Sequence, residues 1–249
     1  MNSTILQSVF LIIILLDAVL GLTLWRIKLL ETKMLPVVFA VTVSIADELL
    51  AFYFRVRFHN NLIVYYTSSS IEYACFVWFL YLNMDFIVIK KAIIATVIMF
   101  FVARIGYVYF YIQLDALSAS KVSGGFITSQ DVLIAFFSIC YFKNIFNNVA
   151  DYKPLNFCVL IIVTGLLFYY SFDSITRLVR NHLVNIYEQQ LIASGADIKK
   201  ARLSSAMQAY YKFTQVNTLV LLTNILLYLC IFTAFIKNAI IVKKSLSRA

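Results

Sequence analysis

Residues 5–25 read ILQSVFLIIILLDAVLGLTLW, 21 positions among which Asp17 alone is charged. Six further apolar runs follow, at 34–54, 62–84, 92–113, 131–149, 156–175 and 214–236. A helix rises ~1.5 Å per residue and the hydrocarbon layer is ~30 Å thick, so about 20 apolar residues cross it. A lipid-facing β-barrel would alternate apolar and polar residues, whereas these runs are continuous. Six Gly and two Pro in 249 residues are also too few for a turn-rich β protein. Helices remain as the way to satisfy the backbone in lipid. The expectation is an all-α, polytopic membrane helix bundle of about seven transmembrane helices, forming one domain over residues 1–249.

Composition points the same way. Hydrophobic residues make up 62% of the chain and charged ones 13%, with a mean hydropathy of +0.87, where a soluble domain keeps roughly a quarter of its residues charged. The net charge of +9 would suggest nucleic acid in a soluble protein. Here the basic residues flank apolar runs, which points to lipid headgroups and topology and to no nucleic-acid partner. The start, Met1-Asn2-Ser3-Thr4, has no basic residue before the first run, so that run is expected to be retained and not cleaved as a signal. Cys75, Cys140, Cys158 and Cys230 each lie inside an apolar run, without metal-type clustering, and read as small packing residues.

Lys143 and Asn144 interrupt the fifth run, and the connection after the sixth keeps a helical pattern. Ile175, Leu178, Val179, His182, Leu183 and Ile186 fall along one side, Gly195 is a helix stop, and Asp197 can cap the next helix. Helices 6 and 7 are therefore expected at about 156–193 and 198–240, extending past the bilayer as a helical hairpin that serves as a docking surface, a lid or a solvated extension.

Several polar side chains fall inside the runs, where ionisable groups are costly and face the bundle interior. Asp17 lies in helix 1, Asp47 and Glu48 in helix 2, Glu72 in helix 3, Arg104 in helix 4 and Asp173 in helix 6. Helical spacing groups Tyr65, Ser68, Ser69 and Glu72 on one stripe, and Arg104, Tyr107 and Tyr111 on another. It likewise groups Gly165, Tyr169 and Asp173, and Asn217, Asn224 and Tyr228. Asp47 and Glu48 point about 100° apart, so only one of them is expected to face the centre. Glu48, Glu72, Arg104, Tyr169 and Asn224 are the candidate ligand-binding residues of a central pocket, with Arg104 as the expected partner of Glu72. A structural network of the same groups, Arg104 pairing with Glu72 or Glu48, is the alternative.

Other chemistries lack their residues. His59 and His182 are the only histidines and lie near helix ends, so no metal site and no cofactor is expected. No Gly-rich phosphate loop or Gly-x-Ser-x-Gly turn occurs. The retinal lysine and the Asp-Arg-Tyr and Asn-Pro-x-x-Tyr signatures of seven-helix receptors are missing too.

Asn60-Asn61, Tyr66 and Ser70-Ile71-Glu72-Tyr73 resemble the entry to helix 3 in an uncharacterised seven-transmembrane-helix family of Bacteroidota, similar to the membrane input part of some sensor histidine kinases. The stretch 164–171, TGLLFYYS, is similar to that family's helix 6, and 217–235, with Asn224-Ile225-Leu226-Leu227-Tyr228, to its helix 7. The resemblance implies a bacterial inner-membrane location and carries Glu72, Tyr169, Tyr170, Ser171 and Asn224 over as pocket residues. This chain departs from the family in its long helix 6–7 connection and in reaching Ala249 without a kinase, so sensing would act through a separate membrane or cytoplasmic protein partner. The first reading is a receptor-like or sensory protein that takes a small-molecule ligand. A lipid-modifying membrane enzyme using the buried carboxylates, a small transporter, and an accessory subunit of an envelope complex are the alternatives.

Basic residues orient the bundle. With the N-terminus outside, Arg26, Lys28, Lys33, Lys90, Lys91, Lys143, Lys153, Lys237, Lys243, Lys244 and Arg248 fall inside. Apart from the helix 6–7 connection, the outside holds Arg55, Arg57 and Lys121. Reporter fusions at the two termini should therefore place the N-terminus outside and Ala249 in the cytoplasm; a cytoplasmic N-terminus would invert the bundle.

Overall fold

The computed structural model describes residues 3–58, 62–111, 116–147, 154–195, 197, 200, 204–205, 208 and 214–247. His59, Asn60 and Asn61 lie outside them, as do the side chains of Tyr65, Tyr66, Tyr107, Tyr111 and Asn217 and most of the second arm of the expected hairpin. Among the described residues the chain is all-α, with seven helices and one 3₁₀ turn, Thr32–Met34. The helices are α1 (Ser3–Arg26), α2 (Leu35–Phe58), α3 (Leu62–Asn83), α4 (Ile87–Tyr111), α5 (Ala116–Asn147), α6 (Pro154–Ala193) and α7 (Thr214–Leu246). Five of them, α1, α2, α5, α6 and α7, are long and apolar enough to cross a membrane. That property, with the wide apolar surface formed by side chains such as Ile12, Phe52, Ile98, Ile105 and Phe136, marks the chain as an integral membrane protein.

Local chemistry sets the helix ends. Lys28 (φ 58°) takes the left-handed position after α1, where Leu29 N–H donates to Leu24 O at 2.9 Å and Lys28 N–H to Trp25 O at 3.0 Å, a Schellman closure. Pro154 opens α6, where a missing N–H costs nothing. Gly195 (φ 84°) ends it as expected, with its N–H bonded to Ile192 O at 3.0 Å. Arg26 and the Lys243–Lys244 pair occupy the last turns of α1 and α7, opposite the negative helix end.

Two starts differ from expectation. The fifth helix begins at Ala116 rather than 131 and runs for 32 residues. Its polar first half is too hydrophilic for a membrane run, yet Thr128 and Ser129 bond back to the carbonyls of Gly124 and Gly125 at 2.9 Å, so the helix satisfies its own hydroxyls there. The fourth begins at Ile87 rather than 92. Lys90 sits within its first turns because its ammonium lies 5.0 Å from the ring centre of Tyr81, and its stem can follow apolar surface.

Packing arranges six helices in a closed ring. In order round it, α1 contacts α2, α2 contacts α3, α3 contacts α5, α5 contacts α6, α6 contacts α7, and α7 returns to α1. The α4 helix sits outside the ring against α3 and α5. At one end the lumen is dry. Phe76, Phe79, Leu80, Ile134, Phe137, Ile162, Leu166, Ile231 and Phe235 are 0–1% exposed there. Three helices meet closely at Gly21, where an added Cβ would lie 2.8 Å from the Phe235 ring and 3.1 Å from Val38 Cγ2. Glu31 N–H, bonded to Asn238 Oδ1 at 3.0 Å, ties the α1–α2 connection to α7 at the same end.

Gly21→Val should therefore force α1 away from α2 and α7 and destabilise the bundle by about 1–3 kcal/mol, the usual cost of overpacking. Gly106→Ala on α4, where a Cβ meets nothing within 4 Å, should be neutral or gain up to ~1 kcal/mol of helix propensity. Unfolding in detergent, measured for the two variants side by side, checks the contrast.

Candidate functional site

The other end of the ring is polar. A cavity of about 460 Å³ opens there, lined by side chains from all six ring helices. Phe10 and Ile14 come from α1, Ser44, Asp47 and Glu48 from α2, and Ser68, Ser69 and Glu72 from α3. Gly124 and Ile127 of α5, Tyr169, Arg177, Arg180 and Asn181 of α6, and Asn224 and Tyr228 of α7 complete the wall. Three carboxylates thus stand on the α2–α3 side and two guanidiniums on α6. In ring order α2 and α6 are three places apart in either direction, so Asp47 and Glu48 stand on the side of the ring opposite the α6 arginines, while Glu72 of α3 lines the same small space as Arg177.

A hydrogen-bond chain crosses the deep part of the cavity. Tyr228 Oη donates to Ser44 Oγ at 2.9 Å. Ser44 in turn lies 3.2 Å from Glu72 Oε1 and 3.0 Å from Ala40 O. Its one proton serves one of these acceptors at a time, and an ionised Glu72 is the stronger of the two. Through Ser44, the Glu72 carboxyl is linked to α7 as well as to α2. Ser68 bonds the Asp47 carboxylate, whose Oδ1 is buried without a partner.

Arg177 stands at the α5–α6 seam. Its Nε and a terminal nitrogen both lie 2.8 Å from Asp173 Oδ2, one turn earlier on α6, and its Nε is 3.3 Å from Asp131 Oδ2 of α5. Asp131 is within ion-pair range but out of hydrogen-bond alignment, so Oδ2 has charge compensation without a directed donor. Beside this cluster a smaller cavity of about 60 Å³ touches Glu72, Gln130, Asp131, Tyr170 and Asp173. That space has room for a few waters at ~10–15 Å³ each, beside Gln130 Oε1 and Asp131 Oδ2, which have no hydrogen-bond donor.

Four of the five expected residues, Glu48, Glu72, Tyr169 and Asn224, line the large cavity. Arg104 stands behind its wall, because α4 lies outside the ring. It donates from Nε to Ser70 Oγ at 3.0 Å and from a terminal nitrogen to Ser69 Oγ at 3.1 Å. Gln130 of α5 reaches the same Ser70 hydroxyl at 3.3 Å. Arg104 thereby fixes the serine face of α3, while the arginines sharing the cavity with Glu72 are Arg177 and Arg180. Asp47 and Glu48 both line the cavity, where only one was expected, since a lumen this wide accepts side chains 100° apart.

Arg177, Arg180 and Asn181 fall just past the sixth apolar run, which ends at 175. The signal that finds them is their spacing: 169, 173, 177 and 180–181 continue one face of α6. Asp17, also expected in the interior, is fully buried in α1, and both its oxygens lack a partner. The four cysteines are free thiols. Among the described residues no group of three or more His, Cys, Asp or Glu could hold a metal ion. No family model, curated protein or solved structure matches the chain.

Breaking a buried ion pair typically costs ~3–5 kcal/mol, because the remaining charge is left uncompensated. Arg177→Gln should approach that loss. Adding Asp131→Asn and Asp173→Asn to it should recover much of the stability. Denaturation of the single and triple variants in detergent, treated as a cycle, tests this; equal or additive losses would show that Arg177 does not compensate these two acids.

Proposed function

We propose that the chain is a receptor-like or sensory protein of a bacterial inner membrane, spanning it seven times with its N-terminus outside, and signalling through a separate partner. The observation that carries this reading is the cavity: six helices contribute to one chamber whose wall holds three acids of α2 and α3 and two arginines of α6. At about 460 Å³ it falls in the ~300–1,000 Å³ range of small-molecule sites. The 40 residues of α6 amount to roughly 60 Å, about twice the hydrocarbon thickness, which supports an arm projecting beyond the bilayer. In the same orientation the cavity mouth, marked by Arg180 and Asn181, faces outward at the base of that arm. A ligand seated between α2, α6 and α7 would change how those helices pack, and the projecting part of α6 would carry the change to a partner.

The test is binding by the purified chain in nanodiscs, screened by thermal stability against a panel of polar and amphiphilic small molecules. A true ligand should raise the melting temperature of the wild type by several degrees. Ser69→Phe, which fills the cavity, and Asn224→Leu, which removes a polar wall, should abolish that shift. Ligand-induced stabilisation that survives both changes would place binding elsewhere and overturn the reading. Chemical turnover of a bound compound would instead assign the cavity to a membrane enzyme.

A further inference from the structure

A second concavity lies beside the polar cavity. A cleft of about 580 Å³ runs between α1, α2 and α7, lined by Leu11, Leu15, Ile45, Leu49, Phe52 and Leu221, with Gln7 among its lining residues. Leu11, Leu15, Leu49 and Phe52 are 46–67% exposed, so the cleft faces the lipid. It shares Phe10, Ile14, Glu48 and Asn224 with the cavity. An ordinary lipid-facing groove ends on apolar side chains, whereas this one ends on a carboxylate and an amide. The wedge shape follows from the packing. The three helices close tightly at Gly21, where Phe235 and Val38 leave no room for a Cβ, and the cleft opens nearer the start of α1, where Gln7, Phe10 and Leu11 line it.

The geometry points to an amphiphilic ligand, with a zwitterionic headgroup in the cavity and one hydrocarbon chain in the cleft between α1, α2 and α7. This rests on the cavity being the ligand site and adds what kind of molecule occupies it. The cleft supplies an apolar channel leading out to the bilayer, and the tail stays in a medium like its own. The head meets a mixed surface: Asp47 and Glu48 of α2 suit an ammonium group, and Arg180 of α6, on the opposite side of the ring, suits a phosphate or carboxylate. Glu48 and Asn224 stand at the junction, where head and tail join. The ligand therefore enters sideways from the outer half of the bilayer and needs no aqueous path.

Native mass spectrometry of the full chain, released from maltoside micelles, tests this with four probes. They are lysophosphatidylethanolamine, glycerophosphoethanolamine (the same head without a tail), lysophosphatidylglycerol (no amine) and dodecyl maltoside (a tail with a neutral head). The expected result is one retained lysophosphatidylethanolamine, with at least tenfold weaker retention of the other three. Leu11→Trp and Leu49→Trp block the cleft from opposite walls at exposed positions, and each should weaken lysophosphatidylethanolamine at least tenfold. Glycerophosphoethanolamine binding as tightly as the lysolipid, unaffected by either tryptophan but lost in Ser69→Phe, would overturn the amphiphile and leave the cavity reading standing. Equal retention of all the tailed probes, insensitive to every variant, would mean surface lipid only and overturn the proposal. Failure of every probe, with Ser69→Phe unchanged in stability and in binding across the wider panel, would remove the cavity reading along with it.

Discussion

Charge inside an apolar helix bundle is tolerated only where something answers it: an opposite charge, a hydrogen-bond donor or water. This constraint organises most of the molecule, fully buried Asp17 of α1 being the carboxyl that no partner answers. The acids of α2 and α3 face the lumen of the six-helix ring and the Asp131–Arg177–Asp173 cluster sits at the α5–α6 seam beside it, and much of the outer surface is left to leucine, isoleucine and phenylalanine. Serines and threonines not needed in the lumen bond to carbonyls of their own helices, as Thr42 does to Val38 O at 2.8 Å and Thr164 to Leu160 O at 2.8 Å. The ring is divided along its length. Dry packing around Phe79, Leu166 and Phe235 holds one end together, which frees the other end to keep a polar chamber.

The division also explains why α4 contributes stability to the wall without joining the chamber. Arg104 is long enough to reach α3 from outside the ring, and the hydroxyls of Ser69 and Ser70 give its guanidinium acceptors. Ser70 also takes a bond from Gln130, so one side chain on α4 helps to set the spacing of α3 and α5. Across the ring, Tyr228 and Ser44 couple α7 to α2 next to Glu72. The chamber is thus braced by polar contacts on its walls, and any occupant that competes for Ser44 or Asp47 would be felt by several helices.

Much of this was legible in the sequence, and the failures have definite causes. Long apolar runs identify the helices because lipid offers the backbone no other partner, and helical spacing correctly aligns Glu72 with Ser68 and Ser69, and Asn224 with Tyr228. Spacing says which residues share a face but not where the helix stands. Arg104 looked central on that basis, and only the tertiary arrangement reveals that α4 is peripheral. Arg177 was hidden for the opposite reason: its charge lowers local hydropathy, so the sixth run looked finished at 175 although its face continues from Tyr169 and Asp173 to Arg177 and Arg180. The first half of α5 was missed because serine, lysine and glycine dilute hydropathy without preventing a helix.

The claim on which the rest depends is that the carboxylates of the ring face a chamber open to water. Carboxyl labelling of the full chain in nanodiscs, mapped by peptide mass spectrometry, tests it directly. A water-soluble carbodiimide with an added amine should modify Glu72 and the neighbouring Asp47 and Glu48, and should leave the sealed Asp17 untouched. Glu72 refractory to that reagent, yet modified by lipid-soluble dicyclohexylcarbodiimide, would show that it faces hydrocarbon and contradict the account.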